Sequence, residues 1–86
     1  MRTLTSERFA RDTERALALG LTPRQSQVVA LLAKGLGNRE IAKTLHISQH
    51  TARVHVRELF GRLKVSNRVE AVNVLRGKVS GLHEKV

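Results

Sequence analysis

With 86 residues, the chain is long enough for one small domain but too short for two independent cores. Only 2% of its residues are aromatic and none is cysteine, so the core must consist of Val, Leu, Ile and Ala, and disulfides, zinc–thiolate sites and thiol catalysis are excluded. Lys and Arg outnumber Asp and Glu by 16 to 7, and the net charge of +9 indicates a polyanionic partner.

The first predicted helix runs from about residue 6 to residue 19 and is amphipathic. Charged side chains, Asp12 among them, are expected to cover the faces that point away from the core. Gly20 follows as a left-handed helix terminus. We expect residues 1–20 to form a helical arm that packs over the core or contacts another protein chain. Its predicted inner face consists of Phe9, Thr13, Ala16 and Leu17.

The second predicted helix begins with a nearly complete set of start signals. Thr22 can cap the helix, Pro23 occupies its first position, and Gln25 stands where a reciprocal capping side chain belongs. Gly35 permits the turn that ends it. The buried stripe is expected to be Val28, Val29, Leu31 and Leu32.

A short third helix and a longer fourth helix follow, separated by a tight turn. Asn38 is the expected N-cap of the third helix, residues 39–45, and Glu40 suits the positive end of its dipole. Ser48 is the expected N-cap of the fourth, residues 49–64. This order is the layout of a helix-turn-helix, whose second helix lies in the major groove of DNA.

The periodicity of the fourth helix separates an apolar stripe from a basic face. Arg53 and Arg57, one turn apart, can each make paired hydrogen bonds to a guanine edge, and Val54 can touch a thymine methyl group. His50 shares this face. Arginines four residues apart are also common on solvated helices, but the capped turn and the scarcity of nearby acids favour base reading. The stripe consists of Ala52, Val56, Leu59 and Leu63.

Polar and basic residues around this face are candidates for contacts to DNA phosphates, which position a protein without reading sequence. The first-turn amides of the fourth helix also favour a phosphate. The candidate phosphate contacts are Lys43, Ser48, Gln49, Thr51, Arg62, Lys64 and Arg68.

The fifth predicted helix, about residues 67–76, is capped by Ser66 or Asn67 and is apolar around much of its circumference. It is therefore expected to face the core on one side and a partner on the other. The predicted dimer interface consists of Val69, Val72 and Leu75. Residues 77–86 are expected to be a flexible tail.

No set of residues supports catalysis, a cofactor or a metal. His46 and His50 are four residues apart, but no carboxylate or thiol completes a metal site. Ser48 and Thr51 have no base and orienting acid, so they are interpreted as caps. An enzyme is the weakest functional hypothesis. The chain has no run of apolar residues long enough for a membrane span, and its N-terminal residues contain no continuous hydrophobic segment of the signal-peptide type, so we expect a cytoplasmic protein.

Four segments together resemble the LuxR/NarL-type helix-turn-helix of bacterial transcription regulators. The segments are L-T-P-R at 21–24, A-K-G-L-G-N-R-E-I-A at 33–42, I-S-Q-H-T-A-R-V-H-V at 47–56 and K-V-S-N-R-V-E-A-V at 64–72. The resemblance implies a base-reading role for Arg53, Val54 and Arg57, and dimer formation by the last helix. The chain also departs from the family, which often has Val where this chain has Ala52 and Lys where it has Arg53. Arg53 replaces the compact ammonium charge of a lysine with a planar guanidinium group.

The fold expected is therefore all-α: a small helix-turn-helix bundle of four core helices, residues 21–76, plus an N-terminal helix. Family members usually join this domain to a sensing domain of about 100 further residues. Both a single-domain regulator and a C-terminal segment of a longer one are consistent with the chain.

The leading hypothesis is a dimeric, sequence-specific transcription regulator that binds double-stranded DNA at two half-sites. The alternative is a protein-interaction module that pairs with full-length regulators through its last helix. Another regulator or RNA polymerase is a further candidate partner. No membrane and no small-molecule ligand are expected.

Overall fold

The computed structural model describes residues 2–77, with side chains described from Glu7 onward. This range contains five helices and no strand, which confirms the all-α prediction. The predicted tail lies outside the described residues, except for Gly77. The helices are α1 (Arg2–Ala18), α2 (Pro23–Ala33), α3 (Asn38–Leu45), α4 (Gln49–Leu63) and α5 (Arg68–Leu75).

Helix α2 lies at the centre of the fold and contacts each of the other four helices. Seven of its 11 residues are buried, including all four of the predicted stripe. From the neighbouring helices, Ile41, Leu59 and Leu75 pack around it as the largest fully buried side chains. The core is thus built from aliphatic side chains, as the composition requires.

The start of α2 has the predicted reciprocal capping arrangement. The backbone N–H of Gln25 donates to Thr22 Oγ1 at 3.1 Å, and the N–H of Thr22 donates to Gln25 Oε1, also at 3.1 Å. Pro23 occupies the first helical position. After the helix, Gly35 has a φ of +93°, a left-handed conformation that glycine adopts without steric cost.

Two predictions for α1 are wrong. The helix begins at Arg2 rather than near residue 6, because no Gly or Pro interrupts residues 2–18. Its inner face is also rotated: Asp12 is buried, whereas Leu17, predicted to face the core, is exposed. The rotation follows from packing, since α1 contacts both α2 and α5 and so buries the side that faces both helices.

The helix-turn-helix is formed by α3 and α4. Glu40 Oε1 accepts the backbone N–H of Gly37 at 2.9 Å, so Gly37 is the N-cap of α3 and the predicted Asn38 is already helical. At the other end, His46 takes a left-handed conformation with φ 59°. The two helices pack closely because Ala42 and Ala52 are both small and buried.

The last two helices are slightly shorter than predicted. Helix α4 ends at Leu63 because Lys64 is left-handed, with φ 59°. Helix α5 begins after Asn67, whose side chain accepts the N–H of Glu70 at 2.9 Å, which makes Asn67 the cap among the two predicted candidates.

Candidate nucleic-acid interface

The buried and exposed sides of α4 divide as its periodicity predicts. Ala52 and Leu59 are fully buried, and the rest of the predicted stripe, Val56 and Leu63, is partly buried against the core. This side of α4 contacts α2, α3 and α5. The opposite side of the helix is consequently directed away from the domain.

The predicted base-reading residues lie on this outward side. His50, Arg53 and Arg57 are exposed, and Val54 is half-buried. Within the part of the chain that the structure describes, neither Arg53 nor Arg57 forms an ion pair or a side-chain hydrogen bond. Two adjacent guanidinium groups thus present all their donors to solvent, an arrangement suited to paired hydrogen bonds with base edges or phosphates.

The N-terminal end of α4 is held by the predicted cap. Ser48 Oγ accepts the backbone N–H of Thr51 and donates its own proton to Thr51 Oγ1, each at 2.9 Å. The Thr51 hydroxyl proton therefore stays available to a phosphate oxygen, while that of Ser48 does not. Gln49 is exposed beside them, and its first-turn backbone N–H points toward the free end of the helix.

The basic residues expected to contact phosphates fall into two groups. Lys43 and Lys64 are exposed, and neither has a partner among the described side chains. Arg62 instead donates to the backbone carbonyl of Gly20 at 2.6 Å, and Arg68 donates to that of Leu36. Sequence reasoning missed this structural role. The two hydrogen bonds link the C-terminal end of α4 and the N-terminal end of α5 to the turns that flank α2.

The three residues predicted as a dimer interface are not equally placed. Val69 is 65% exposed and Val72 is half-buried, but Leu75 is only 2% exposed and belongs to the core. The assignment of Leu75 to an interface is therefore wrong, because its side chain is already covered within one chain. Asn73, four residues after Val69, is exposed on the same side of α5. The helical spacing from Val69 would have found it.

No group of three or more His, Cys, Asp or Glu side chains is placed to hold a metal ion among the described residues. No helix in the described part is long and apolar enough to cross a membrane.

A short helix, a tight turn and a longer helix with an outward basic face define the helix-turn-helix class of DNA-binding domains. Residues 19–75 match the model of the luxR family of bacterial regulatory proteins. Because this match covers more than half of the chain, the protein belongs to that family. No solved structure matches the chain significantly.

Curated relatives include several bacterial regulators. The chain is 43% identical over 51 residues to the nitrate/nitrite response regulator protein NarL of Escherichia coli (strain K12), a match covering 59% of this chain and 24% of NarL. Identity to NarP of the same strain is 47% over 51 residues, with the same coverage. Response regulator protein VraR of Staphylococcus aureus (strain Mu3 / ATCC 700698) is 40% identical over 52 residues, covering 60% and 25%. The chain spans about a quarter of the length of these relatives.

Proposed function

We propose that this protein is a transcription regulator that reads a specific sequence of double-stranded DNA with α4. In this proposal Arg53, Val54, Arg57 and His50 face base edges in the major groove, and the phosphate backbone contacts the residues around them. The observation that carries it is the pair of outward-facing arginines, which have no partner inside the described part of the chain. An arginine so placed can make a bidentate contact to guanine O6 and N7.

Phosphate contacts in this proposal come from residues that border α4. Lys43 and Lys64 supply charge, and Thr51 and the first-turn amides of α4 supply donors. Arg62 and Arg68 are not included, because each already donates to a backbone carbonyl. Arg62 also lies on the opposite side of α4 from Arg53, since nine residues at about 100° each make two and a half turns.

The protein would act as a homodimer that occupies two half-sites through paired α5 helices. Val69 and Val72 form the centre of the proposed surface, and Asn73 replaces Leu75 at its edge. The supporting observation is Val69, a large aliphatic side chain that is 65% exposed at the start of α5. A small surface of this kind suits a dimer that assembles on DNA, where two half-sites hold the copies at high local concentration.

The first experiment is selection of the protein's preferred sites from a randomised duplex pool at about 150 mM salt, where non-specific attraction is weakened. A symmetric or repeated motif is the expected result. Absence of any motif would mean that α4 is only an electrostatic anchor and would overturn the proposal.

The role of Arg57 is tested by comparing Arg57→Ala with Arg11→Ala, which removes the same charge from α1. Arg57→Ala is expected to weaken binding to the selected site by about 1–3 kcal/mol, because it removes a base contact, and to weaken binding to random DNA much less. Arg11→Ala is expected to leave site discrimination unchanged. Equal weakening on both DNAs would instead identify Arg57 as a phosphate contact.

The dimer surface is tested with Val69→Glu, because a charge at Leu75 would disrupt the core instead. The variant is expected to bind a single half-site normally and to lose cooperative binding to the double site, as measured by gel shift and sedimentation. Unchanged binding to the double site would contradict pairing through α5. Loss of regulation in cells with DNA binding fully retained would favour the interaction-module hypothesis.

A further inference from the structure

Four arginines surround a pocket between α1 and the end of α5. Arg8, Arg11 and Arg15 on α1 and Arg76 after α5 line it together with Asp12, and its volume is about 320 Å³. Four guanidinium groups and one carboxylate leave three excess positive charges. The volume is at the lower end of the range for small-molecule sites, roughly 300–1,000 Å³, so the pocket suits a small anion rather than a peptide or a duplex.

The pocket is separate from the proposed DNA interface. Helices α1 and α4 both pack on α2, and within the described residues they make no contact with each other. The side of α1 that lines the pocket is therefore distinct from the outer side of α4 that would face a duplex. An anion in the pocket would therefore be a ligand other than that DNA.

Asp12 lines the pocket, and its buried carboxylate oxygen Oδ2 accepts no hydrogen bond. The side chain is 9% exposed, and Oδ2 is 3.5 Å from Arg76 Nη2 without hydrogen-bond geometry. Buried acceptors in folded proteins nearly always have a hydrogen-bond donor, and this oxygen has only its ion pair with Arg76, so it can still accept a hydrogen bond from a ligand. The arginine side chains that line the pocket with Asp12 are long and are exposed or half-buried, so displacing their ends would let a ligand reach Asp12.

We propose that this pocket binds inorganic phosphate, which keeps a P–OH proton at neutral pH. The guanidinium forks would donate to the phosphate oxygens, and Asp12 Oδ2 would accept the P–OH proton. Sulfate at neutral pH and the phosphodiesters of DNA have no such proton. The carboxylate would therefore repel them, which gives the site a chemical basis for selecting phosphate.

An occupied pocket would join α1 to the end of α5. Arg15 Nη1 donates to the carbonyl of Leu75 at 3.4 Å, a long contact between these elements. A bound phosphate would neutralise the repulsion among the arginines and hold both elements to one ligand. The proposal differs from the expectation, drawn from sequence, that the protein has no small-molecule ligand.

The test is an NMR titration of the isotopically labelled chain at constant ionic strength. Inorganic phosphate is the probe, with sulfate and dimethyl phosphate as comparison anions. We expect phosphate to give saturable shifts in residues 8–15 and 75–77, with an affinity at least about tenfold above those of the comparison anions. Equal affinity for phosphate and sulfate, shifts confined to α4, or no saturable shift would overturn the proposal.

A matched pair of double variants separates the pocket from net charge. Arg8→Gln with Arg11→Gln removes two charges from the pocket, at exposed residues that form no hydrogen bond or ion pair among the described side chains. Phosphate affinity is expected to fall at least about tenfold. Arg53→Gln with Arg57→Gln removes the same charge from α4 and is expected to leave phosphate affinity unchanged. Equal losses of phosphate affinity in the two double variants would show that net charge alone causes the effect, and would reject the site.

Asp12→Asn tests the proposed selectivity. Removing the carboxylate charge is expected to tighten sulfate binding and abolish the preference for phosphate, while the circular dichroism spectrum reports that the fold is retained. A preference for phosphate that survives in this variant would contradict the role of Asp12.

Discussion

His46 shows how one residue can carry strain in this fold. It ends α3 with φ 59° and ψ 47°, a left-handed conformation that residues other than Gly and Asn adopt at a steric cost in free energy. Its backbone N–H nevertheless reaches the carbonyl of Lys43, so the turn of the helix-turn-helix depends on this geometry.

Replacement of His46 by Gly is therefore expected to stabilise the domain by about 1 kcal/mol, since glycine enters this region without steric cost. The midpoint of thermal unfolding should rise. Gly35→Ala, at a φ of +93°, is the opposite control and should lower it. A lower midpoint for His46→Gly would mean that the imidazole makes a stabilising contact of its own.

Ile41 is the residue of α3 whose side chain packs fully into the core and so holds the helix-turn-helix against it. It is fully buried, so Ile41→Ala is expected to lower the free energy of unfolding by about 2–5 kcal/mol through lost burial and a residual cavity. Val69→Ala, at a site that is 65% exposed, is the control and should change stability by less than about 0.5 kcal/mol. Chemical denaturation measures both, and similar values for the two variants would contradict the packing described.

At the scale of the helix, Gly61 lowers the intrinsic helix stability of α4. Gly61 is exposed in the last turns, and a Cβ placed there would meet no heavy atom within 4 Å. It follows Arg57 by four residues and so lies on the outward side of the helix. Nothing inside the domain requires a glycine at this position.

Gly61→Ala is accordingly expected to stabilise the free domain by up to about 1 kcal/mol, because alanine is the better helix former. Thermal unfolding measures this effect, and binding to the selected DNA site is measured on the same variant. Weaker DNA binding by the more stable variant would show that the glycine admits a close approach of the DNA backbone. A destabilised variant would contradict the open surroundings of Gly61.

For the whole molecule, the net charge of +9 governs affinity more than specificity. The logarithm of the DNA-binding constant is expected to fall linearly with the logarithm of salt concentration, at about −0.9 per phosphate neutralised. Lys43→Ala should make that slope shallower by about one unit, as expected for a phosphate contact. Arg11→Ala, on α1, should leave it unchanged. Fluorescence anisotropy across a salt series measures both slopes, and an unaltered slope for Lys43→Ala would exclude a phosphate contact.

Local patterns account for what could be predicted from the sequence. The caps formed by Thr22 and Ser48, the stripe of α2 and the outward direction of Arg53 and Arg57 all follow from side-chain chemistry and helical spacing within about a dozen residues. These interactions are local, so they are readable without knowing how the helices pack. The division of α4 into a buried and a basic side belongs to this group.

The tertiary structure decided the features that depend on which helices meet. Packing of α1 against both α2 and α5 buried Asp12 beside Arg76 and exposed Leu17. Packing of α5 against α2 placed Leu75 in the core, and the closeness of helix ends to distant turns gave Arg62 and Arg68 their carbonyl partners. Each of these depends on residues far apart in the chain, whose approach is set by the burial of the whole core rather than by any local pattern.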